Sequence, residues 1–151
     1  MLDLKYLLPF FLIVLVSFSG PPTSGIFIII KPAKKNPCEQ DLKMLIGTKR
    51  VCVLKKPIVG VDELEYVTDI LYDPIVQCNY IKLGFSSESV VTLNQTVSTI
   101  PGAEFAVVLD DDVICIFKIQ EKLDARYIKI GYDLDSKSLS MVRDALKKVQ
   151  F

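Results

Sequence analysis

The sequence predicts an α+β fold: a mostly antiparallel sheet with two main helices packed on one of its faces. Three observations carry this. Short runs alternate apolar and polar residues with period two, as half-buried strands do. Two stretches, Ser87–Ile100 and Asp135–Val149, repeat apolar residues at helical spacing. From about residue 77 onward these units follow the order strand, helix, strand, strand, strand, helix, which places helices together against a sheet.

The elements follow in chain order. The run from Gly25 to Lys31, GIFIIIK, is rich in β-branched residues and stops at Pro32, so it reads as a buried strand. Lys34 to Pro37 make a polar turn. Glu39 to Ile46 is expected to form one or two helical turns, with acidic residues at its positive end and Gly47 as its stop. Arg50 to Leu54 returns as a short strand. Between Asp62 and Tyr72 two patterns compete: Leu64, Tyr66, Thr68 and Ile70 alternate as a strand, while Asp62 fits the cap of a helix carrying Leu64, Val67 and Leu71. A strand is expected for the later half. Asp73-Pro74 marks a turn. Gln77 to Phe85 then alternates, with Ile81, Leu83 and Phe85 on one face and Tyr80 and Lys82 on the other.

Ser87 reads as a helix N-cap with Glu88 just inside, and Val90, Leu93, Val97 and Ile100 form the apolar stripe before Pro101-Gly102 ends the run. Phe105, Val107 and Leu109 alternate with Ala106 and Val108 up to a turn at Asp110 to Asp112, where aspartate tolerates the left-handed backbone of a tight hairpin. Val113 to Ile119 returns, and Tyr127 to Gly131 adds a further strand. Asp135 or Ser136 opens the last helix, with Leu139, Val142, Leu146 and Val149 on its buried face and Lys147 and Lys148 at its negative end.

Composition narrows the function. The chain has 151 residues, 50% of them hydrophobic, enough to bury one core without a second domain. Eighteen basic residues balance eighteen acidic ones, so no net field draws in nucleic acid or an anionic membrane. Histidine is absent, which removes the commonest general base and metal ligand. Residues 1–19 read as an export signal or an uncleaved anchor: Lys5 precedes the apolar run Tyr6 to Phe18, and Ser17 and Ser19 precede Gly20 at a signal-peptidase site. This run is shorter than the roughly 20 apolar residues of a spanning helix, and no other membrane span is expected. Residues 20–25 form a tether and 26–151 a single folded domain. Export favours bridges among Cys38, Cys52, Cys78 and Cys115, since no CxxC spacing suggests a metal or redox site. Four cysteines allow three pairings. Cys38 with Cys52 is favoured because the two flank a compact segment, and Cys78 and Cys115 read equally well as buried thiols on strands.

The run FAVVLDDDVICIFKIQE resembles the head subdomain of the first periplasmic domain of the SecD/SecDF protein-export subunits. There an apolar strand ending in Leu-Asp turns into Val-Ile, followed by an Ile or Val and then Gln-Glu. The matching positions are Phe105, Leu109, Asp110, Val113, Ile114, Ile119, Gln120 and Glu121, and the similarity in element order covers about residues 60–148. Departures are Asp111 in place of a turn glycine, Cys115, Ile116 and Phe117 in place of a Ser-Ala-Pro run, and a glycine-free Lys122 to Arg126 loop. The resemblance implies a freestanding, exported, SecD head-like domain, in the periplasm or secreted, that lacks the membrane helices a complete translocase subunit uses.

Two function classes follow. The first is a non-catalytic envelope or secreted binding module, related to protein export as that resemblance implies, that contacts a protein partner or extended polypeptide and uses no cofactor. Tyr66, Tyr72, Tyr80, Tyr127 and Tyr132 are candidates for an aromatic surface on the sheet face without helices, with ordinary sheet packing as the competing reading. The second is a small secreted hydrolase using carboxylates or serine. It is disfavoured because no carboxylate pair is fixed across a cleft and no SxxK arrangement supplies a base. Asp110, Asp111 and Asp112 read as a solvated turn, since they lack calcium-loop spacing. Asn94-Gln95-Thr96 is a glycosylation sequon lying in a predicted helix, where a place on the helix face is the simpler role.

Overall fold

In the computed structural model, residues 24–35 and 37–149 are described. The expected leader, 1–19, and all of the tether but Ser24 and Gly25 lie outside them. Among the described residues, ten strands form two sheets, and two α-helices pack with them. The first comprises β1 (Gly25–Ile28), β2 (Gln40–Met44), β3 (Arg50–Val53), β4 (Val59–Gly60), β8 (Glu104–Leu109) and β9 (Asp112–Lys118), in the order β3-β2-β9-β8-β1-β4. The second is centred on β7 (Cys78–Phe85). It pairs with β10 (Tyr127–Ile130) on one side, and with β5 (Leu64–Val67) and β6 (Leu71–Asp73) on the other. Every pairing is antiparallel except β2 with β9.

The larger sheet closes on itself. Beyond β1, Ile29 bridges Val53, the Ile30 N–H donates to the Cys52 carbonyl at 2.9 Å, and the Leu54 N–H donates to the Ile28 carbonyl at 3.0 Å. Strands β3, β2, β9, β8 and β1 thus form a small barrel whose inward residues are Phe27, Leu42, Val51, Val53, Ala106, Val108 and Val113. Residues of opposite parity, among them Ile26, Ile28, Phe105, Val107 and Leu109, point outward into a second, larger core. This is the period-two pattern of β8 with both faces buried. The alternation breaks in β9, where a bulge opposite Val107 and Val108 turns Ile114 and Cys115 consecutively to the outer core. Gly25, with φ of 146°, starts the barrel where a Cβ would lie 2.5 Å from the Val59 carbonyl oxygen.

The outer core is completed by α1 (Ser87–Thr99), α2 (Ser136–Lys147) and the inner face of the second sheet. Leu93 of α1 and Leu139, Val142 and Leu146 of α2 meet Val67, Ile81, Leu83, Phe85, Ile128 and Ile130 there. Both helices therefore lie on one face of the β7 sheet, as the amphipathic stripes require, and among the described residues its other face carries no helix.

Several expectations change at residue level. Glu39 to Ile46 is not helical: β2 pairs with β3 from Gln40 to Lys43 and with β9 at Lys43 and Met44, and Leu42 enters the barrel between exposed Asp41 and Lys43. Tertiary pairing overrides a weak local helix preference here. Arg50 fixes that pairing further, with Nε 2.7 Å from Asp41 Oδ2. The N-cap of α1 is Ser86 rather than Ser87; its Oγ accepts from the Ser89 N–H at 3.1 Å. Ile100 falls at the C-cap, 44% exposed, and the buried polar position on α1 is Ser89. Asp62–Tyr72 resolves into a 3₁₀ turn at Val61–Glu63 followed by β5 and β6, so strand occupies both halves, with a break at residues 68–70. Asp135 does cap α2, accepting from the Ser138 N–H at 2.7 Å. Cys38 and Cys52 form a disulfide, while Cys78 and Cys115 are free thiols, the former half-buried and the latter buried.

Candidate functional site

The helix-free face of the β7 sheet gathers most of the tyrosines singled out in the sequence. Register sets this directly. Tyr66 of β5 and Tyr127 of β10 both stand opposite Gly84, and Lys82 stands opposite Lys129. These residues have the parity opposite to buried Ile81, Leu83, Ile128 and Ile130 and so point away from the core. Gly84 makes room for the Tyr66 ring, since a Cβ there would lie 2.2 Å from a ring carbon. Lys82 Nζ sits 4.5 Å from the centre of the Tyr127 ring and Lys129 Nζ 4.9 Å from that of Tyr80. Tyr80 and Tyr132 contact each other with ring centres 5.4 Å apart. Tyr72 has the other parity and is exposed beyond the end of the core.

Asp73, at the end of β6, ties this face together. Its Oδ2 accepts from Tyr132 OH at 3.0 Å and from Lys129 Nζ at 3.2 Å, and its Oδ1 accepts from the Ile75 N–H at 3.0 Å. The Tyr132 hydroxyl first, then the Ile75 amide and the Lys129 ammonium, hold the buried Asp73 carboxyl below its ordinary value. The Asp73 bond raises the Lys129 ammonium, and burial, reinforced by Asp73, raises the Tyr132 phenol. The same carboxylate anchors the β6–β7 turn, whose Ile75 and Val76 side chains stand in solvent.

A pH dependence follows from these directions. Asp73 has a lowered pKa in the folded state, so its contribution to stability is present above the unfolded value near 3.8 and is lost as pH falls through the lower folded value. Asp73→Asn is expected to be less stable than the parent at pH 7, with the gap between them narrowing as pH falls through that range. Urea midpoints for both proteins at pH 7 and pH 3 check this; an unchanged gap at pH 3 contradicts it.

The remaining candidates have other surroundings. Asp110 and Asp111, with φ of 49° and 67°, are the two central residues of an exposed hairpin turn between paired Leu109 and Asp112, and the Asp110 N–H donates to Ser24 Oγ at 3.0 Å. Phe105, Leu109, Val113, Ile114 and Ile119 are buried; Gln120 and Glu121 are exposed beyond β9. Asn94 uses its side chain to hold the loop after β9: Oδ1 accepts from the Leu123 N–H at 2.8 Å and Nδ2 donates to the Leu123 carbonyl at 3.1 Å. That clamp, with Arg126 reaching Ser87 Oγ and Glu65, pins the glycine-free stretch Lys122 to Arg126. Burial pushes the Cys115 thiol up to about 12, a poor setting for a reactive thiolate. Among the described residues no helix is long and apolar enough to cross a membrane. The Asp73, Lys129 and Tyr132 cluster was not anticipated; the alternation of Tyr80 with Lys82 and of Tyr127 with Lys129 was its only trace in the sequence.

No family model matches the chain, and no curated protein matches it. Solved structures do. The chain is similar to a structure of SecDF, a membrane component that enhances protein export, at a TM-score of 0.52 and 14% identity, over 83% of this chain and 63% of that one. It is also similar to SecDF in a super-membrane-facing form, at 0.51 and 14%, over 83% of this chain and 19% of that one. The chain thus spans less than two thirds of either SecDF chain, and the likeness shows a SecD-like fold.

Proposed function

We propose that this chain is an exported, non-catalytic binding module that contacts an extended polypeptide in the cell envelope. The observation that carries the reading is the tyrosine and lysine array on the helix-free face of a SecD-like domain: an amphipathic, sequence-tolerant surface on which the half-buried Tyr66 and Tyr127 rings and the Lys82 cation, backed by buried Tyr80, suit a chain without fixed side-chain pattern. Residues 1–19 serve as signal or anchor, 20–25 as tether and 26–151 as one domain, of which about 60–148 corresponds to the SecD periplasmic head. The Cys38 to Cys52 bridge supports the oxidising compartment that export supplies.

The test is a nitrogen–proton NMR titration with a reduced, permanently unfolded polypeptide. Shifts are expected to concentrate at Tyr66, Tyr80, Lys82, Tyr127 and Lys129, and Tyr66→Ala with Tyr127→Ala should weaken binding by about tenfold or more, as removal of two aromatic contacts implies. Cleavage of the added chain would favour a hydrolase instead, and saturable shifts confined to other faces would reject this surface.

A further inference from the structure

The strand β10 ends its sheet, and its outward edge has a defined hydrogen-bonding pattern. The Phe85 N–H donates to the Arg126 carbonyl at 2.8 Å, and the register continues from Tyr127 opposite Gly84 to Ile130 opposite Ile81. In an antiparallel ladder, bonded and non-bonded pairs alternate, so Ile128 bonds Leu83 and Ile130 bonds Ile81. The N–H and C=O groups of Tyr127 and Lys129 consequently turn away from β7. Among the described residues no strand pairs with them there, and no side chain or loop bonds them. Two donors and two acceptors repeating at about 7 Å match another extended backbone and little else.

Edge strands often carry a lysine that discourages such pairing. Lys129 occupies that position, but its ammonium is drawn onto Asp73 and the Tyr80 ring, away from the edge. We infer that the outward edge of β10 is a strand-addition site, where an extended stretch of polypeptide pairs with Tyr127 and Lys129 through its main chain. This rests on the polypeptide-binding reading above and assigns it an element and a register. Main-chain bonds supply affinity there, while side chains of the added strand on the helix-free side lie next to Tyr127 and Lys129.

Lys129→Pro separates the backbone from the side chain. Its ring removes only an outward N–H, a position where an edge strand tolerates proline, whereas Lys129→Ala keeps that N–H and removes the ammonium. The probe is a short peptide of alternating valine and threonine between terminal lysines, compared with the same peptide N-methylated throughout its centre. The full chain is expected to bind the plain peptide and to show slowed amide exchange at Tyr127 and Lys129. Methylation of the peptide and Lys129→Pro should each weaken binding by about tenfold, and Lys129→Ala by much less. Equal binding of plain and methylated peptides overturns the edge assignment while leaving the polypeptide-binding reading intact, and it remains decisive if Lys129→Pro fails to fold. Absence of binding by both the peptide and an unfolded polypeptide overturns that reading and the edge with it. Exchange protection that grows with protein concentration alone overturns the assignment in favour of a second copy of this chain.

Discussion

Phe27→Ala is expected to cost about 3–5 kcal/mol of folding stability, a large share of the total for a domain of this size. Phe27 is fully buried and, among the described residues, is the only aromatic side chain of the barrel interior, where the other residues are the shorter Leu42, Val51, Val53, Ala106, Val108 and Val113. Truncation leaves a void that five hydrogen-bonded strands cannot collapse to fill, because the ring is closed at Ile29 and Val53. Thermal melts should show a midpoint lowered on the order of 10–25 °C. Phe27→Leu, which keeps most of the volume, should lose much less. A loss below about 1 kcal/mol for the alanine variant would mean that the barrel interior relaxes freely and is not a closed core.

The same residue shows what was legible in the sequence and what was not. The strand around Phe27 is evident from its β-branched run, and the hairpin from the aspartates Asp110 to Asp112 at its turn, because both signals are local; the structure narrows that turn to Asp110 and Asp111. Closure of the larger sheet is not evident, since it depends on Ile29 meeting Val53 across 24 residues and leaves no periodic trace of its own. The misreading of Glu39 to Ile46 has the same origin. A five-residue segment has weak intrinsic preference, and β2 is a strand because β3 and β9 lie on either side of it. The α2 stripe was read correctly down to Leu139, Val142 and Leu146, as expected for a helix whose apolar face has one side to pack. On α1 the one-residue shift to Ser86 and the exposure of Ile100 reflect competition between adjacent serines for the cap and a helix that stops at Thr99. The candidate surface was half visible: tyrosine alternation suggested an open face, but Asp73 looked like a turn residue, and its bonds to Lys129 and Tyr132 span more than fifty positions.

Loss of the Cys38 to Cys52 bridge is expected to destabilise the domain by about 3 kcal/mol, the chain-entropy value for a loop of roughly 15 residues. The two cysteines are 14 positions apart with Cα atoms 5.6 Å apart, and the loop they close contains β2 and its turn into β3. Cys52 also supplies the carbonyl that accepts from the Ile30 N–H at the barrel seam, so the bridge ties down the strand that completes the ring. In Cys38→Ala with Cys52→Ala the unfolded chain regains that loop freedom, and the seam should open before the rest of the domain. Two readouts distinguish the contributions. Urea denaturation should show reduced stability with a steeper dependence on denaturant, because the released unfolded state exposes more surface. Hydrogen exchange should show the amides of Ile30 and Leu54 losing protection while those of β7 and β8 are retained at the new global limit. If stability falls but Ile30 and Leu54 keep the same protection as β8, the bridge acts on the unfolded chain alone, and the barrel seam holds through its backbone bonds and the burial of Val53 in the barrel interior.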